Sequence, residues 1–225
     1  LMKITIAIDG PAASGKSTTA AQVARALGYS HLNSGLLYRA ITWAAVERDW
    51  PLDEEGFDRR LGNLDLSLEP AGFGFRVLVD GTDPGVSLVS PATSAMVSEI
   101  SARPAVRERV LHLLEREGGR GGVVCDGRDI GTVVFPTAEL KVFLVASPEE
   151  RARRRLLEQG IDPTTEAVRE EAARLSARDT FDSGRAVAPL RRAADAIELD
   201  TTEMGASEVV QRIVSLALAR ESRVS

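Results

Sequence analysis

Cysteine occurs once in these 225 residues, histidine twice, asparagine twice and lysine three times. A single cysteine excludes an internal disulfide and fits a reducing, cytoplasmic setting. Cys125 itself lies in an apolar run and is read as packing. His31 and His112 stand alone, with no carboxylate or cysteine at metal-ligand spacing, which argues against a zinc site. Neither Asn33 nor Asn63 precedes a lysine, so the N-K-x-D segment of switch GTPases is missing. No apolar run approaches the length that spans a bilayer, and residues 1–5 lack the charged, apolar and small-residue zones of a leader peptide. Cations are outnumbered by carboxylates, 28 to 33. The formal net charge is −5, which disfavours a dedicated nucleic-acid binder, whereas a small polyanion needs only a local positive pocket. Only Lys3, Lys16 and Lys141 are lysine, so arginine is the default cation and each lysine asks for a reason.

What is present is ordinary globular composition, 44% hydrophobic and 27% charged, at a length that suits one domain with an insertion. Residues 4–9 form a mostly apolar run, the pattern of a strand buried on both faces of a parallel sheet. Further short apolar runs at 29–32, 123–126, 140–145 and 196–199 give five expected strands. Helical periodicity lies between and after them, at 16–27, 36–48, 104–117, 148–159, 164–178 and 206–220. Alternating strands and helices imply an α/β fold, a parallel five-stranded sheet flanked by helices. One stretch breaks the alternation. Residues 64–68 and 75–79 around the turn Ala71-Gly72-Phe73-Gly74 predict a β-hairpin, and 86–89 a third short strand. Residues 62–103 are therefore read as a small antiparallel β insertion between core segments 1–61 and 104–225. Trp43 is expected in the core, and Trp50 beside Pro51 partly exposed.

Between the first strand and helix stands Gly10-Pro11-Ala12-Ala13-Ser14-Gly15-Lys16-Ser17, matching G-x-x-x-x-G-K-[ST]. Such a P-loop wraps backbone N–H groups around phosphate, with the helix dipole behind it. Lys16 then reaches the β- and γ-phosphates, and the Ser17 hydroxyl ligates magnesium. The motif points to ATP or GTP and does not name an acceptor. Asp126 ends the strand at 123–126, where a second acidic residue helps hold the metal in P-loop enzymes; the alternative is a turn-capping aspartate. Asp9 precedes the loop directly and is read as its support.

At this point the chain resembles the bacterial cytidylate kinases, from residue 4 to about 218. Four blocks carry the resemblance: Asp9-Gly10-Pro11 through Lys16-Ser17-Thr18; Ser34-Gly35-Leu36-Leu37-Tyr38-Arg39-Ala40; Asp126-Gly127-Arg128-Asp129-Ile130-Gly131-Thr132-Val133-Val134-Phe135-Pro136; and Arg178-Asp179 through Asp182, followed by Arg185-Ala186-Val187-Ala188-Pro189-Leu190. The resemblance implies a P-loop kinase fold with an NMP-binding insertion and a short lid near 148–162. It implies that ATP with Mg2+ phosphorylates CMP, and also dCMP, on a chain acting as a monomer. It also assigns residues: Ser34, Arg39, Arg128 and Arg185 would hold the acceptor phosphate. Arg178 and Asp182 would contact the ribose, while Ser98, Arg107 and Asp129 would read cytosine. Arg151, Arg153, Arg154 and Arg155 would close over the ATP phosphates, beside loop residues Gly10 to Thr18. Departures stand at Ala13, where the family loop often has glycine, at Asn33 for a frequent aspartate, and at Val89 for a frequent arginine.

Rival readings remain at this stage. Arg151 to Arg155 could be an RNA patch, but Glu149, Glu150 and Glu158 lie close and no aromatic platform accompanies them. Another small-molecule or nucleotide kinase, or a P-loop GTPase-type switch, would share the phosphate cradle. A phosphate acceptor has a second pKa of about 6 and is mostly ionised at neutral pH, so no general base is demanded. Two polyanions must instead be brought into line, which takes cations and positioning, with Lys16, Arg128, Arg185 and Asp126 central to the chemistry.

Overall fold

The computed structural model describes residues 3–119 and 121–224; Leu1 and Met2, part of the segment read for a leader, lie outside them. Five parallel strands, β1 (Thr5–Asp9), β2 (Ser30–Asn33), β5 (Val123–Gly127), β6 (Leu140–Val145) and β7 (Ile197–Asp200), form one sheet in the order β2-β5-β1-β6-β7. The two-faced burial expected of the first run holds. Ile4, Ile6 and Ile8 enter one core and Ala7 the other. The first core is closed by α1 (Lys16–Leu27) and α8 (Ala206–Val224). The second is closed by α2 (Ser34–Glu47), α4 (Pro91–Ile100) and α5 (Pro104–Gly118). Because β1 is central and the chain leaves it for β2 on one side and later fills β6 on the other, a crevice opens at the carboxyl ends of the strands.

The hairpin is present as β3 (Leu66–Ala71) and β4 (Gly74–Val79), paired from Leu66↔Val79 to Ala71↔Gly74. Its turn docks on the sheet edge, where the His31 N–H donates to the Phe73 carbonyl at 2.6 Å. The expected third strand is absent. Gly85–Val89 is a 3-10 helix, and Pro91–Ile100 continues as α4, begun by a Ser90 side chain that accepts from Thr93 N. The insertion is thus half helical, since Thr93, Val97 and Ile100 fall on one buried helical stripe. A short helix, α3 (Glu54–Gly62), capped by Asp53, was also not expected. It covers Trp50, which is buried at 6% exposure and meets the Phe57 ring edge-on at 5.3 Å. Proximity to Pro51 was therefore a poor guide to exposure.

After β6 the chain forms an antiparallel helical pair, α6 (Pro148–Glu158) and α7 (Thr165–Ser183). The second helix runs five residues beyond the expected end at Arg178, and so carries Arg178, Asp179 and Asp182 on a rigid element.

Candidate active site

The phosphate loop closes at the end of β1 as the motif demands. A Cβ on Gly10 would lie 2.4 Å from the Leu144 carbonyl oxygen, so only glycine fits against β6. Ala13 adopts φ 57, a left-handed conformation that costs a non-glycine residue about 1–2 kcal/mol. The glycine frequent in similar loops would relieve that strain. Lys16 folds back, its Nζ donating to the Pro11 carbonyl at 2.9 Å. Burial, and next the charge of Arg128, lower its pKa to about 7. The Ser14 hydroxyl is buried with no hydrogen-bond partner, a polar atom held in readiness inside the loop.

β5 delivers Asp126 beside this loop. Its Oδ2 accepts from Ser17 Oγ at 2.5 Å, and its Oδ1 lies 2.7 Å from His31 Nε2. His31 is therefore not isolated in space. Asp9 supports a different loop from the one expected: its carboxylate accepts from Ile130 N at 2.8 Å and Gly131 N at 2.7 Å. Burial raises its pKa to about 6, opposed by those two bonds. The held segment, Ile130–Val134, is a π-helical turn, a form concentrated at functional sites. It fixes the Arg128-Asp129 pair at the end of β5.

These elements line one cleft of about 300 Å³. Lys16, Arg39, Arg107, Arg128, Arg155, Arg178 and Arg185 face it against the carboxylates Asp126, Asp129 and Asp182. A net acidic chain thus concentrates its cations where polyanions would sit. Arg128 bridges the two halves: its Nη1 donates to the Gly10 carbonyl at 2.9 Å and its Nε to Asp182 at 2.7 Å. Arg185 reaches Asp182 at 2.6 Å and Ser101 Oγ at 3.0 Å. Arg178 has a buried Nε without a partner, and burial followed by the charge of Arg128 lowers its pKa to about 10. Arg39 is tied to the Leu88 carbonyl and Ser94 Oγ, both at 3.0 Å, and Ser34 Oγ donates to the Asp126 carbonyl at 2.8 Å.

Deeper in, Arg107 pairs with Asp129, both buried, and Arg107 also lies 5.3 Å from the centre of the Tyr38 ring. Burial raises the pKa of Asp129, while the nearby arginines oppose the shift. Ser98 does not line the cleft; Ser101, one turn on, does. The four lid arginines separate. Arg155 lines the cleft, Arg153 is exposed, and Arg154 is tied to Thr201 through its Oγ1 at 3.1 Å and its carbonyl at 2.6 Å. Arg151 is buried beneath the loop, donating to the Ala12 carbonyl at 3.0 Å and to Asp179 at 2.5 Å. Asp179, itself half-buried, in turn accepts from Ala12 N at 3.0 Å, so this pair braces the phosphate loop. Spacing gave no sign of Asp179, Ser101 or the His31 contact, because each meets its partner across a different element.

Two hard oxygen donors, Ser17 and Asp126, stand together at the mouth of the loop. Among the described residues no group of three or more His, Cys, Asp or Glu could cage a metal alone. The pair fits Mg2+, which takes one or two protein oxygens and completes its shell with phosphate and water.

Comparison with known proteins agrees with this geometry. The family described as cytidylate kinase matches residues 6–219. The cytidylate kinase of Desulfitobacterium hafniense (strain Y51) is 47% identical over 214 residues, 95% of this chain and 92% of that one. The cytidylate kinase of Bacillus subtilis (strain 168) is 45% identical, covering 98% of this chain and 99% of its own. An uncharacterized protein from Eubacterium ventriosum ATCC 27560, of known crystal structure, shares the fold at a TM-score of 0.50 and 12% identity, over 96% of this chain and 98% of that one. With a P-loop, a cationic cleft and a family match spanning nearly its whole length, the chain belongs to the cytidylate kinase family, and it is a nucleoside monophosphate kinase.

Proposed function

We propose that the cleft transfers the γ-phosphoryl group of ATP to the phosphate of CMP, and also to that of dCMP, giving ADP and the pyrimidine diphosphate. The observation that carries this reading is the position of Arg128, hydrogen-bonded at once to the phosphate loop and to the Asp182-Arg185 cluster. A guanidinium there touches both the donor and the acceptor phosphate, where charge collects during transfer. The loop from Gly10 to Thr18, with Lys16, holds the donor phosphates. Arg155 and Arg154 close over them, while Arg151 acts by bracing the loop. Ser34, Arg39 and Arg185 hold the acceptor phosphate, and Arg178 with Asp182 the ribose. Arg107 and Asp129 read the base, with Ser101, which lines the cleft, in the place expected of Ser98. Residues 62–103 form the acceptor-binding insertion and 148–162 the lid, and closure of both excludes water from the transfer.

Ser17 and Asp126 would hold magnesium, which supplies neutralisation of charge on the phosphate oxygens when bound with ATP. The acceptor arrives ionised, so the residues position and neutralise and none need remove a proton. No described helix is long and apolar enough to cross a membrane. We infer a cytoplasmic monomer acting on small molecules, with neither nucleic acid nor membrane as partner. The test is ADP release measured with CMP, dCMP, UMP, AMP, GMP and dTMP as acceptors. CMP and dCMP should be phosphorylated well, UMP poorly and the others hardly at all; equal rates with CMP and UMP would refute the reading.

A further inference from the structure

His31 enters the site from an edge the phosphate-loop motif does not describe. It lies on β2, the edge strand beside β5, and its backbone N–H is bound to Phe73 in the hairpin turn. Its side chain is 14% exposed and that of Asp126 2%, so the contact is held in a largely dry environment. Asp126 is gripped at both oxygens, Oδ1 by His31 at 2.7 Å and Oδ2 by Ser17 at 2.5 Å. A carboxylate can only accept, so Nε2 carries the proton in this pair.

We propose that His31 is a positioning residue for the metal end of the phosphate site, fixing the Asp126 carboxylate so that Oδ2 stays turned toward Ser17. This rests on the metal role of Asp126 proposed above. The terminal torsion of an aspartate is soft, so the carboxylate plane turns freely unless something holds it. Ser17 holds it now, but the same hydroxyl is the expected metal ligand. Once that oxygen turns to a cation, His31 is the side chain left to keep the carboxylate in place. By occupying Oδ1 it also leaves a single oxygen for the metal. Partners of this kind typically set metal affinity by about 10–100-fold.

The test compares His31→Phe, which keeps the ring and removes the donor, with His31→Gln, whose amide restores one. Asp126→Asn serves as the reference. Mn2+ affinity of each enzyme's complex with a non-hydrolysable ATP analogue is measured by electron paramagnetic resonance, and CMP affinity by calorimetry. His31→Phe should weaken Mn2+ binding at least about tenfold, leave CMP affinity unchanged and raise the Mg2+ concentration needed for half-maximal turnover. His31→Gln should recover most of the loss. Wild-type Mn2+ affinity in His31→Phe, with Asp126→Asn weakened, overturns the proposal alone. Wild-type affinity in Asp126→Asn overturns the metal role of Asp126 and the proposal with it. Parallel loss of Mn2+ and CMP binding assigns His31 a merely structural part and also overturns it. If His31→Phe does not fold, His31→Leu takes its place; failure of both to fold likewise makes the role structural.

Discussion

Asp129 carries the sharpest chemical choice in the cleft, because cytosine and uracil have nearly the same shape. Cytosine offers an amino donor beside an acceptor nitrogen, and uracil the reverse. An ionised Asp129 accepts only and Arg107 donates only, so in the proposed base-reading role the buried pair would match cytosine and leave uracil's groups opposed. Truncating Asp129 to alanine would also strand Arg107 without its partner, so the cleaner variant is Asp129→Asn. It should narrow the CMP-to-UMP ratio of kcat/KM by at least about tenfold, or 1.4 kcal/mol, because its amide can donate to the uracil oxygen. An unchanged ratio, with both substrates slowed together, would reduce Asp129 to a support for its neighbours. The arginines divide as well. Arg185 is held by Asp182 and Ser101, on the proposed acceptor side, whereas Arg128 also touches Gly10 of the phosphate loop. Arg185→Ala should therefore weaken CMP binding about ten- to a hundredfold with ATP affinity intact, while Arg128→Ala weakens both. Calorimetric titration of each ligand distinguishes them, and an equal loss of ATP binding in Arg185→Ala would contradict the division. The phosphate-loop residues were legible in the sequence because their function lies in consecutive backbone. His31 and Asp179 were not, since each meets its partner through tertiary packing that no spacing records.

At the scale of elements, the end of β5 is where strand geometry becomes chemistry. Gly127 leaves no room for a side chain: a Cβ there would lie 2.5 Å from Ser34 Oγ and 2.7 Å from Ile130 Cδ1. Gly127→Ala should cost about 1–3 kcal/mol in urea unfolding by overpacking. It should also weaken CMP binding, by displacing the Ser34 hydroxyl and the turn that carries Arg128 and Asp129. Wild-type stability and CMP affinity would show that the turn yields more readily than its packing implies. The central strands β1, β5 and β6 were readable from apolar runs because burial on both faces leaves a clear pattern, whereas the half-exposed edge strands β2 and β7 showed only short apolar runs. The insertion was harder. Gly85 to Val89 has the apolar residues of a strand, yet Ser90 and Pro91 begin a helix immediately afterwards. The cap and the stripe Thr93, Val97 and Ile100 were present in the sequence, and the preceding hairpin masked them. The helix at Glu54–Gly62 offered only Phe57 and Leu61 to the core, too few apolar positions for a clear period.

For the whole molecule, the phosphate loop is a place where the native state holds charge at a disadvantage until substrate arrives. Lys16 has its pKa lowered from 10.5 to about 7, chiefly by burial. Between those values the unfolded chain holds the proton and the native chain does not, so this group's contribution to stability rises with pH across that window. Below about pH 7 both states are protonated, and the full penalty of the buried charge is in force. Asp9 acts in the opposite sense: with its pKa raised from 3.8 to about 6, its contribution falls as pH rises through that interval and is fully unfavourable above it. Both penalties are therefore present together near neutrality, where ATP phosphates would offset the one at Lys16. Removing the charge should stabilise the free protein at the expense of function, the trade-off expected of a site built for a polyanion. Lys16→Met should lose nearly all turnover with ATP and CMP, yet exceed the wild type in stability at pH 6.5 by urea unfolding. The bond from Nζ to the Pro11 carbonyl, worth about 1 kcal/mol, only partly offsets this gain. By pH 9.5 the native lysine is neutral, and the gap should shrink by about 2–4 kcal/mol, reckoned at 1.36 kcal/mol per unit of pKa shift. A gap independent of pH would mean that Lys16 stays charged in the free enzyme. A variant less stable than the wild type at pH 6.5 would mean that its packing outweighs its burial.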